Sequence, residues 1–489
     1  MKSNSIFIVI ASLTAFYSCS PKVENPTMVD ELPVIYPDYI DVTIPVDIAP
    51  LNFNMIDNQI DAVDVTLRGS IAGEMRVQGK YADFDIDDWH ELTQLNKEGE
   101  IMVTVAARKD GTWTQYKDFA IHVSGYELDD YGLTYRLIPP GFEVGGNIGM
   151  YQRDIHTFDE SPMMTETAVP ERCMNCHTAN RANPSRITMQ VRHANGATFV
   201  QKDGRQYWYW TKTDSTKAHG SYAYWHPDGD YIAFSAAAVG QNFFVDKEKL
   251  IEVHHEWGNI VILDTRTNEL ILSEKLMTDD WVEIFPAFSA DGRKLYYSSS
   301  PRVRVPSECD KVKCSIVSID FDAASATFGE TDTLVSGLNT NMSHVLVRPS
   351  YDGKWLMFVR CDHGNFPIQQ RDADLWLMDL QTREMRALDN VNSSESDTHP
   401  NWSSDSRWFV FASKRDDGMY TRLFISSIDD DGNATKPFML PQRNPKKYYS
   451  LQFDAYNCPD FTTEKVDFDI RLAQERLYST ERINVTIRQ

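Results

Sequence analysis

The chain has few basic side chains for its length of 489 residues. Lys and Arg number 48 against 71 Asp and Glu, which gives a net charge of −23 at pH 7. Binding to nucleic acid or to an anionic membrane surface needs Lys and Arg concentrated on one face, so this balance argues against both functions. We interpret the excess of carboxylates as a solvated acidic exterior.

Long apolar runs are scarce as well. Beyond the N-terminal leader, no stretch approaches the ~20 apolar residues of a membrane helix. The leader has a basic start, an apolar run from Ile6 to Phe16 and the small residue Ser18. Because this run is too short to cross a bilayer, the pattern predicts a signal peptide over residues 1–18 and export of the rest of the chain.

The residues before Cys19 resemble the lipobox of bacterial lipoproteins, although Phe16 stands where that box usually has Leu. The resemblance implies that Cys19 becomes the lipidated first residue and that residues 19–32 form a tether. The protein would then be lipid-anchored in the bacterial cell envelope, at the periplasmic or outer-membrane face, and would meet the membrane only through its anchor. A plain signal peptide that is cut nearby is the alternative.

Cysteine is rare, with seven in the chain. Six remain if Cys19 is acylated, and an even number outside the cytoplasm permits disulfides. The segment from Cys309 to Cys314 predicts a hairpin tip that a short disulfide would close. Cys361 and Cys458 have no metal-like neighbours, so a second disulfide and two buried thiols are equally reasonable.

Sequence motifs of common enzymes are missing. The chain has no G-x-S-x-G nucleophile elbow, no phosphate-binding loop of the P-loop type and no H-E-x-x-H zinc motif. No catalytic residue is therefore assigned, and we expect an electron-transfer or binding protein rather than an enzyme.

Residues 33–125 have the pattern of β-strands. Apolar and polar residues alternate in four segments, and Asp110-Gly111 provides a turn signal between strands. This pattern predicts an N-terminal antiparallel β-sandwich without chemistry of its own, serving as a spacer or docking domain. The four segments are Tyr39–Pro45, Val63–Leu67, Ile101–Val105 and Phe119–Val123.

From about residue 187 onward the chain repeats a hairpin whose turn contains Asp and, in three of four cases, Gly. The turn aspartates are Asp228, Asp291, Asp352 and Asp405, spaced by roughly 50 to 65 residues. An apolar strand follows each turn, and another strand ends in acidic and polar residues. Such hairpins at this spacing are typical of propeller blades.

These segments resemble the PD40, or WD40-like, repeats of the TolB propeller, whose blades carry a His/Phe-Pro-x-x-Ser-x-Asp-Gly pattern. Asp405 departs from it, since Ser406 follows where Gly is usual, and the third segment begins Val347-Arg348-Pro349. The resemblance implies a β-propeller over residues 196–461 with five to seven blades, six favoured. Residues 130–160 or the C-terminal tail, 462–489, would complete the sixth blade.

The segment Cys173-Met-Asn-Cys176-His177 has the form C-x-x-C-H, which is the attachment sequence of a c-type haem. Pro170 is a good first residue for a helix and Pro184 a good stop, so we predict a short helix within a linker at residues 126–195. On one helical turn both thiols would reach the vinyl groups of one covalently attached haem c. His177 would bind the haem iron as an axial ligand.

The sixth iron ligand stays open. Met189 and His193 fall on one face of a predicted strand, and either could bind the iron. Two alternatives to haem also remain: a Cys173–Cys176 disulfide with an incidental histidine, and a zinc site that would need a fourth ligand.

The expected fold is therefore mainly β, with an N-terminal β-sandwich followed by a β-propeller and a short helical haem-binding insertion. The predicted function is electron transfer or redox sensing, with the propeller as the docking platform for an envelope protein or redox partner. The alternative is a non-catalytic, TolB-like scaffold lipoprotein in which Cys173 and Cys176 form only a disulfide.

Overall fold

The computed structural model describes residues 23–140, 148–166, 174–192, 196–245, 251–479 and 482–488. Cys19, Cys173 and His193 lie outside these residues, as does the predicted signal peptide. No helix of the described part of the chain is both long and apolar enough to cross a membrane.

The N-terminal region forms one seven-stranded sheet, a two-stranded sheet and a helix. Its elements are β1 (Thr27–Met28), β2 (Ile35–Tyr36), β3 (Thr43–Ile44), β4 (Asn54–Met55), β5 (Ile60–Gly69), β6 (Glu74–Gly79), α1 (Ile86–Leu95), β7 (Glu100–Lys109), β8 (Thr112–Gln115) and β9 (Phe119–Val123). Strand β7 pairs with β5 on one side and with β9 and then β8 on the other, and β2 pairs with β4.

Sequence alternation explains the strands of this region but not its helix. In β7 the side chains of Ile101, Val103 and Val105 are buried, as the period of two predicts. Helix α1 was not predicted. Asp85 caps its start by accepting hydrogen bonds from two backbone N–H groups of the first turn, and the side chain of Trp89 within the helix is buried.

The remaining strands build the propeller. In chain order they are β10 (Gly132–Ile138), β11 (Gly149–Asp154), β12 (Glu160–Thr165), β13 (Met174–Asn180), β14 (Asn183–Val191), β15 (Ala197–Lys202), β16 (Arg205–Trp210), β17 (Gly220–Trp225), β18 (Tyr231–Phe243), β19 (Ile251–Asp264), β20 (Glu269–Ile271), β21 (Trp281–Phe288), β22 (Lys294–Pro301), β23 (Ser315–Asp322), β24 (Thr327–Val335), β25 (Ser343–Pro349), β26 (Trp355–Cys361), β27 (Asp374–Asp379), β28 (Met385–Ala387), β29 (Asp397–Trp402), β30 (Trp408–Ser413), β31 (Arg422–Ser427), β32 (Phe438–Met439), β33 (Ala455–Thr462), β34 (Ile483–Asn484) and β35 (Thr486–Ile487). The helices are α2 (Gly337–Thr340), α3 (Pro445–Leu451) and α4 (Ile470–Tyr478).

Among the described residues these strands form six sheets, which we call A to F. Sheet A is β13-β14-β15-β16-β34, B is β17-β18-β19-β20-β35, C is β21 to β24, D is β25 to β28, E is β29 to β32, and F is β33-β10-β11-β12. The first strand of each sheet contacts the first strand of the next, and β33 contacts β13, so these inner strands make a closed ring. The predicted β-propeller is thus confirmed.

Sheet F joins distant parts of the chain. Strand β33 pairs antiparallel with β10, with Thr134 opposite Asp460 and Arg136 opposite Asn457. Residues 126–195 are therefore not a linker, because they supply strands of sheets A and F. The tail at 462–489 is also structured, since β34 extends sheet A, β35 extends sheet B, and α4 buries Leu477.

The predicted haem-binding helix is wrong for its described part, because residues Met174–Asn180 form strand β13. This strand pairs antiparallel with β14, so that His177 lies opposite Met189. Met174 and Met189 are buried in one apolar cluster between sheets A and F. Tertiary packing of a propeller strand therefore overrides the local helix signals.

The predicted disulfide between Cys309 and Cys314 is not formed in the structure. Both cysteines lie in the loop of the hairpin formed by β22 and β23, as predicted. Cys309 begins a short 3-10 turn in this loop, and Cys314 is a buried thiol whose Sγ lies 3.8 Å from the carbonyl oxygen of Gly364. Cys361 is also a buried thiol.

The N-terminal region packs directly on sheet E and its neighbouring segments. The hydroxyl of Tyr39 donates to the carbonyl oxygen of Met439 at 3.2 Å, and the indole N–H of Trp408 donates to the carbonyl oxygen of Glu127 at 3.0 Å. One continuous apolar core includes residues of both parts. The N-terminal region and the propeller therefore share one apolar core and are not independent domains joined by a flexible linker.

Candidate functional sites in the central ring and the interdomain groove

Each inner strand of the propeller has one residue with a left-handed backbone at the same place. At this place the strand pairing shifts register, which marks a β-bulge. We call these six positions the ring residues: Cys176 (φ 40°), Tyr222 (φ 51°), Phe285 (φ 56°), Leu346 (φ 55°), His399 (φ 50°) and Cys458 (φ 48°).

The local sequence explains the bulge in several sheets. Phe285, His399 and Cys458 are each followed by proline, whose missing N–H suits a position outside the strand ladder. His177 stands in the corresponding place after Cys176. The Cys-His half of the predicted haem motif is therefore also a repeat position of the propeller, which gives these two residues a structural role.

His177 lies in the interior between sheets A and F. Its Nε2 is 2.9 Å from the hydroxyl oxygen of Thr134, and its Nδ1 has no hydrogen-bond partner among the described residues. Burial lowers the pKa of His177 to about 3, so the imidazole is neutral at ordinary pH.

Cys176 and Cys458 meet at the seam between sheets A and F. Their strands β13 and β33 are neighbours in the ring, and the two thiols are close enough to influence each other's pKa. The neighbouring Cys176 thiol, followed by Arg136 and Arg348, lowers the pKa of Cys458, whereas burial raises the pKa of Cys176. The seam thus favours one thiolate, on Cys458.

The rest of the ring is largely aromatic. The rings of Tyr222 and Phe285 are 4.7 Å apart, and His399 packs edge-on against Phe366 at 6.1 Å. His255 reaches the hydroxyl of Tyr222 with its Nε2 at 3.3 Å. Burial lowers the pKa of His399 to about 3, so this histidine is also neutral.

A long hairpin lies over this end of the ring. Strands β18 and β19 have 13 and 14 residues, whereas the equivalent strands β22 and β23 of sheet C have 8 each. Gln241 and Val253 of the hairpin line a cavity of about 50 Å³ together with Arg136, Phe366 and Lys414. Such a space holds one or two water molecules.

The cavity beside the ring is too small for a c-type haem. A porphyrin needs several hundred Å³, on the order of an ordinary ligand pocket, and the cavity beside the ring is about 50 Å³. The Nε2 of His177 is already engaged by Thr134. Met189 lies directly across the strand pair from His177, hence on the same face, and could not bind the opposite side of one iron.

Two of the predicted haem residues, Cys173 and His193, lie outside the described residues, so covalent haem attachment itself stays a prediction. Within the described ranges, no group of three or more His, Cys, Asp or Glu side chains is placed to hold a metal ion.

Sequence reasoning did not find Asp460, which lies beside the ring in β33. Its buried carboxylate accepts hydrogen bonds from the Ala179 N–H at 2.6 Å, the Thr178 hydroxyl at 3.1 Å and the Asn401 amide at 2.8 Å. Burial raises the pKa of Asp460 to about 7. The signal that would have found this strand is Cys458-Pro, which repeats the residue-Pro step of His399-Pro.

A second candidate site is a groove of about 600 Å³ between the N-terminal region and helix α3. We call it the interdomain groove. Its lining includes Tyr81, Phe158, Arg443, Lys447 and Leu451. Ligand sites occur preferentially at such domain boundaries, and this volume is in their usual range.

The groove combines cations with aromatic and apolar surface. The guanidinium of Arg443 stacks over Phe158 at 5.1 Å, and Asn444 caps helix α3 by accepting from the Lys447 N–H at 3.1 Å. Leu451 is 65% exposed and Phe453 beside it is 66% exposed. The Asn444-Pro start of α3 is a local helix signal, but the groove joins residues far apart in the chain and has no motif.

Comparison with known proteins gave matches in structure only. No protein-family model matches the sequence, and no curated protein matches it. TolB from Acinetobacter baumannii is similar, with a TM-score of 0.43 and 14% identity, covering 78% of this chain and 86% of that one. An oligogalacturonate lyase in complex with manganese has a TM-score of 0.34 and 16% identity, covering 62% and 72%. Hydrazine synthase from Kuenenia stuttgartiensis has a TM-score of 0.32 and 11% identity, covering 53% and 64%.

Proposed function

We propose that this protein is a non-catalytic binding protein of the bacterial cell envelope, and that it docks another envelope protein in the interdomain groove. The observation that carries the proposal is the groove itself, about 600 Å³ in volume and walled by both the N-terminal region and α3. Export and lipidation at Cys19, which the leader predicts, would place this surface outside the cytoplasm.

The chemistry of the groove favours a partner segment with both carboxylates and apolar side chains. Arg443 and Lys447 are exposed cations in a chain of net charge −23, so they attract a negatively charged partner where most of the surface repels one. Leu451 and Phe453 supply exposed apolar area beside them. Contiguous exposed apolar surface with a polar rim is typical of protein interaction sites.

The walls of the groove are held in place before a partner arrives. Asn52 donates from its amide to the carbonyl oxygen of Arg443 at 2.9 Å, which ties the N-terminal region to the start of α3. Lys446 donates to the carbonyl oxygen of Ile56 at 2.8 Å. A preorganised surface loses less conformational entropy on binding, so these bonds favour affinity.

Photo-crosslinking in the native host tests the proposal. A photoreactive residue at Leu451 should give a discrete adduct with an envelope protein, and Arg443→Glu/Lys447→Glu should reduce its yield at least about tenfold. The control is Arg293→Glu/Arg304→Glu, which reverses two exposed charges elsewhere and should leave the yield unchanged. An adduct that survives reversal of the groove charges would contradict docking in the groove.

Electron transfer through a covalent haem c is a second proposal, carried by the complete C-x-x-C-H sequence at Cys173 to His177. A pyridine haemochrome spectrum of the mature protein from a host with haem-attachment machinery tests it. A covalent haem spectrum that is lost in Cys173→Ser would support it. A colourless wild-type protein would contradict haem attachment, and binding would then be the only proposed function.

A further inference from the structure

The seam between sheets A and F brings two cysteines together at equivalent points of neighbouring inner strands. Cys176 and Cys458 are the ring residues of β13 and β33, and the other four ring positions hold Tyr, Phe, Leu and His. We propose that Cys176 and Cys458 are a dithiol–disulfide couple that, when oxidised, links the first and last sheets of the propeller covalently.

The position of the pair gives the bond a structural purpose. Sheet F depends on β33 pairing with β10 from the other end of the chain, and the contacts that the described residues make across this closure are non-covalent. Cys458 lies in β33 itself, and Cys176 lies in β13 of sheet A, which contacts β33. A disulfide between residues so far apart in sequence removes much of the entropy of the opened chain.

The two cysteine residues differ in exposure and in nearby charge, which assigns their roles. Cys176 is buried, whereas Cys458 is partly exposed. Arg136 and Arg348 stabilise negative charge on Cys458. Cys458 is therefore the nucleophile that meets an external oxidant, and Cys176 is the thiol that resolves the mixed disulfide.

The oxidant is a disulfide-bonded molecule, and the exchange has two balanced steps. The Cys458 thiolate attacks one sulfur of the oxidant, so the oxidant's S–S bond breaks, a mixed disulfide forms and one thiol leaves. Cys176 then attacks the sulfur of Cys458 and expels the second thiol. The couple loses two electrons to the oxidant, and the two protons of Cys176 and Cys458 end on the two released thiols.

The proposal excludes both earlier roles of Cys176. A Cys173–Cys176 disulfide and a haem thioether would each occupy the sulfur that this couple needs. The disulfide couple is independent of docking in the interdomain groove. Peptide mapping therefore distinguishes the three fates of Cys176 without any binding assay.

The experiment treats the folded, mature protein with hydroxyethyl disulfide, a small oxidant, and maps its peptides by mass spectrometry without reduction. We expect a peptide pair joined through Cys176 and Cys458, and a loss of two titratable thiols per chain relative to the reduced protein. Cys173→Ser should keep this loss, because Cys173 takes no part. Cys458→Ser should abolish it.

Wild-type mapping alone decides the proposal if Cys458→Ser fails to fold. Cys176 joined to Cys173, Cys176 carrying haem, or Cys176 still a thiol after treatment would each overturn it. Thermal unfolding adds a second readout, since oxidation should raise Tm by about 5 °C in wild type. A folded Cys458→Ser protein should unfold at the same temperature before and after treatment.

Discussion

Sheets D and F have the same four-stranded order but are built in opposite ways. Sheet D comes from consecutive hairpins between Ser343 and Ala387. Sheet F takes three strands from residues 132–165 and its inner strand from residues 455–462. Sheet D can therefore form from local contacts, whereas sheet F forms only when distant parts of the chain have met.

The interiors of the two sheets differ accordingly. The centre of sheet D is apolar, with Val345, Met357 and Leu377 buried. Sheet F buries Arg153 and Asp460, and both make several hydrogen bonds. Apolar packing tolerates small shifts, but hydrogen bonds require a defined geometry. The closure of the ring therefore relies on groups that fix its register and that are costly to lose.

The largest expected effect comes from Arg153→Met in β11. The buried guanidinium of Arg153 donates to the amide oxygen of Gln442 at 2.8 Å and to the carbonyl oxygens of Pro441 and Thr157. Methionine keeps much of the volume but leaves these acceptors unsatisfied in the interior. We expect the free energy of unfolding to fall by about 3 kcal/mol, measured by urea denaturation.

The matched change in sheet D is Arg360→Met in β26. Arg360 is half-buried and stacks on Trp376 at 4.4 Å, so its loss removes mainly a cation–π contact. A decrease of about 1 kcal/mol is expected. Equal losses for the two variants would contradict a special dependence of sheet F on buried polar groups.

The contrast between these sheets also explains what the sequence could predict. Sheets B to E contain the turns at Asp228, Asp291, Asp352 and Asp405. The local sequence of each sheet therefore predicts its hairpin. The pairing of Thr134 with Asp460 spans 326 positions and leaves no local pattern. The propeller and the use of residues 130–160 to complete a blade were therefore predictable, whereas the strand at Met174–Asn180 and the pairing of β10 with β33 were not.

The candidate sites show the same limit. C-x-x-C-H is a short pattern, and Pro170 and Pro184 favoured a helix around it. The structure instead places Cys176 at a bulge whose partner, Cys458, is recognisable only after the ring is assembled. Contacts between distant segments also form the interdomain groove, so neither site could be read from spacing alone.

A second prediction compares how the stability contributed by sheets D and F depends on pH. Burial raises the pKa of Asp460 to about 7, despite its hydrogen bonds and the nearby Arg348. The folded state then holds this proton more tightly than the unfolded state, whose carboxyl has a pKa near ~4. The resulting stabilisation is fully present below about pH 4 and is lost as pH rises to about 7.

A comparison of wild type with Asp460→Asn isolates the contribution of this proton to stability. The effects of the other buried groups, including His399 and Asp130, are largely common to both proteins. The stability of wild type relative to the variant should fall by roughly 2 kcal/mol between about pH 5 and pH 8. In sheet D, burial followed by repulsion from Asp397 raises the pKa of Asp374 to about 6. Asp374 is half-buried, so Asp374→Asn should show a smaller change with the same sign. If the difference in stability between wild type and Asp460→Asn did not change with pH, Asp460 would not hold a buried proton.

The smallest expected effect tests the contact between sheets A and F at His177. Thr134→Val removes the hydroxyl that lies 2.9 Å from the imidazole Nε2 and keeps the shape of the side chain. Because the neutral imidazole is buried and its Nδ1 has no described partner, we expect a loss of about 1 kcal/mol in urea denaturation. Thr382→Val, in the exposed turn after β27 of sheet D, should change stability by less than about 0.5 kcal/mol. If neither threonine variant changed the free energy of unfolding, packing in β13 alone would hold His177. The closure of the ring would then depend on fewer polar contacts than sheet F contains.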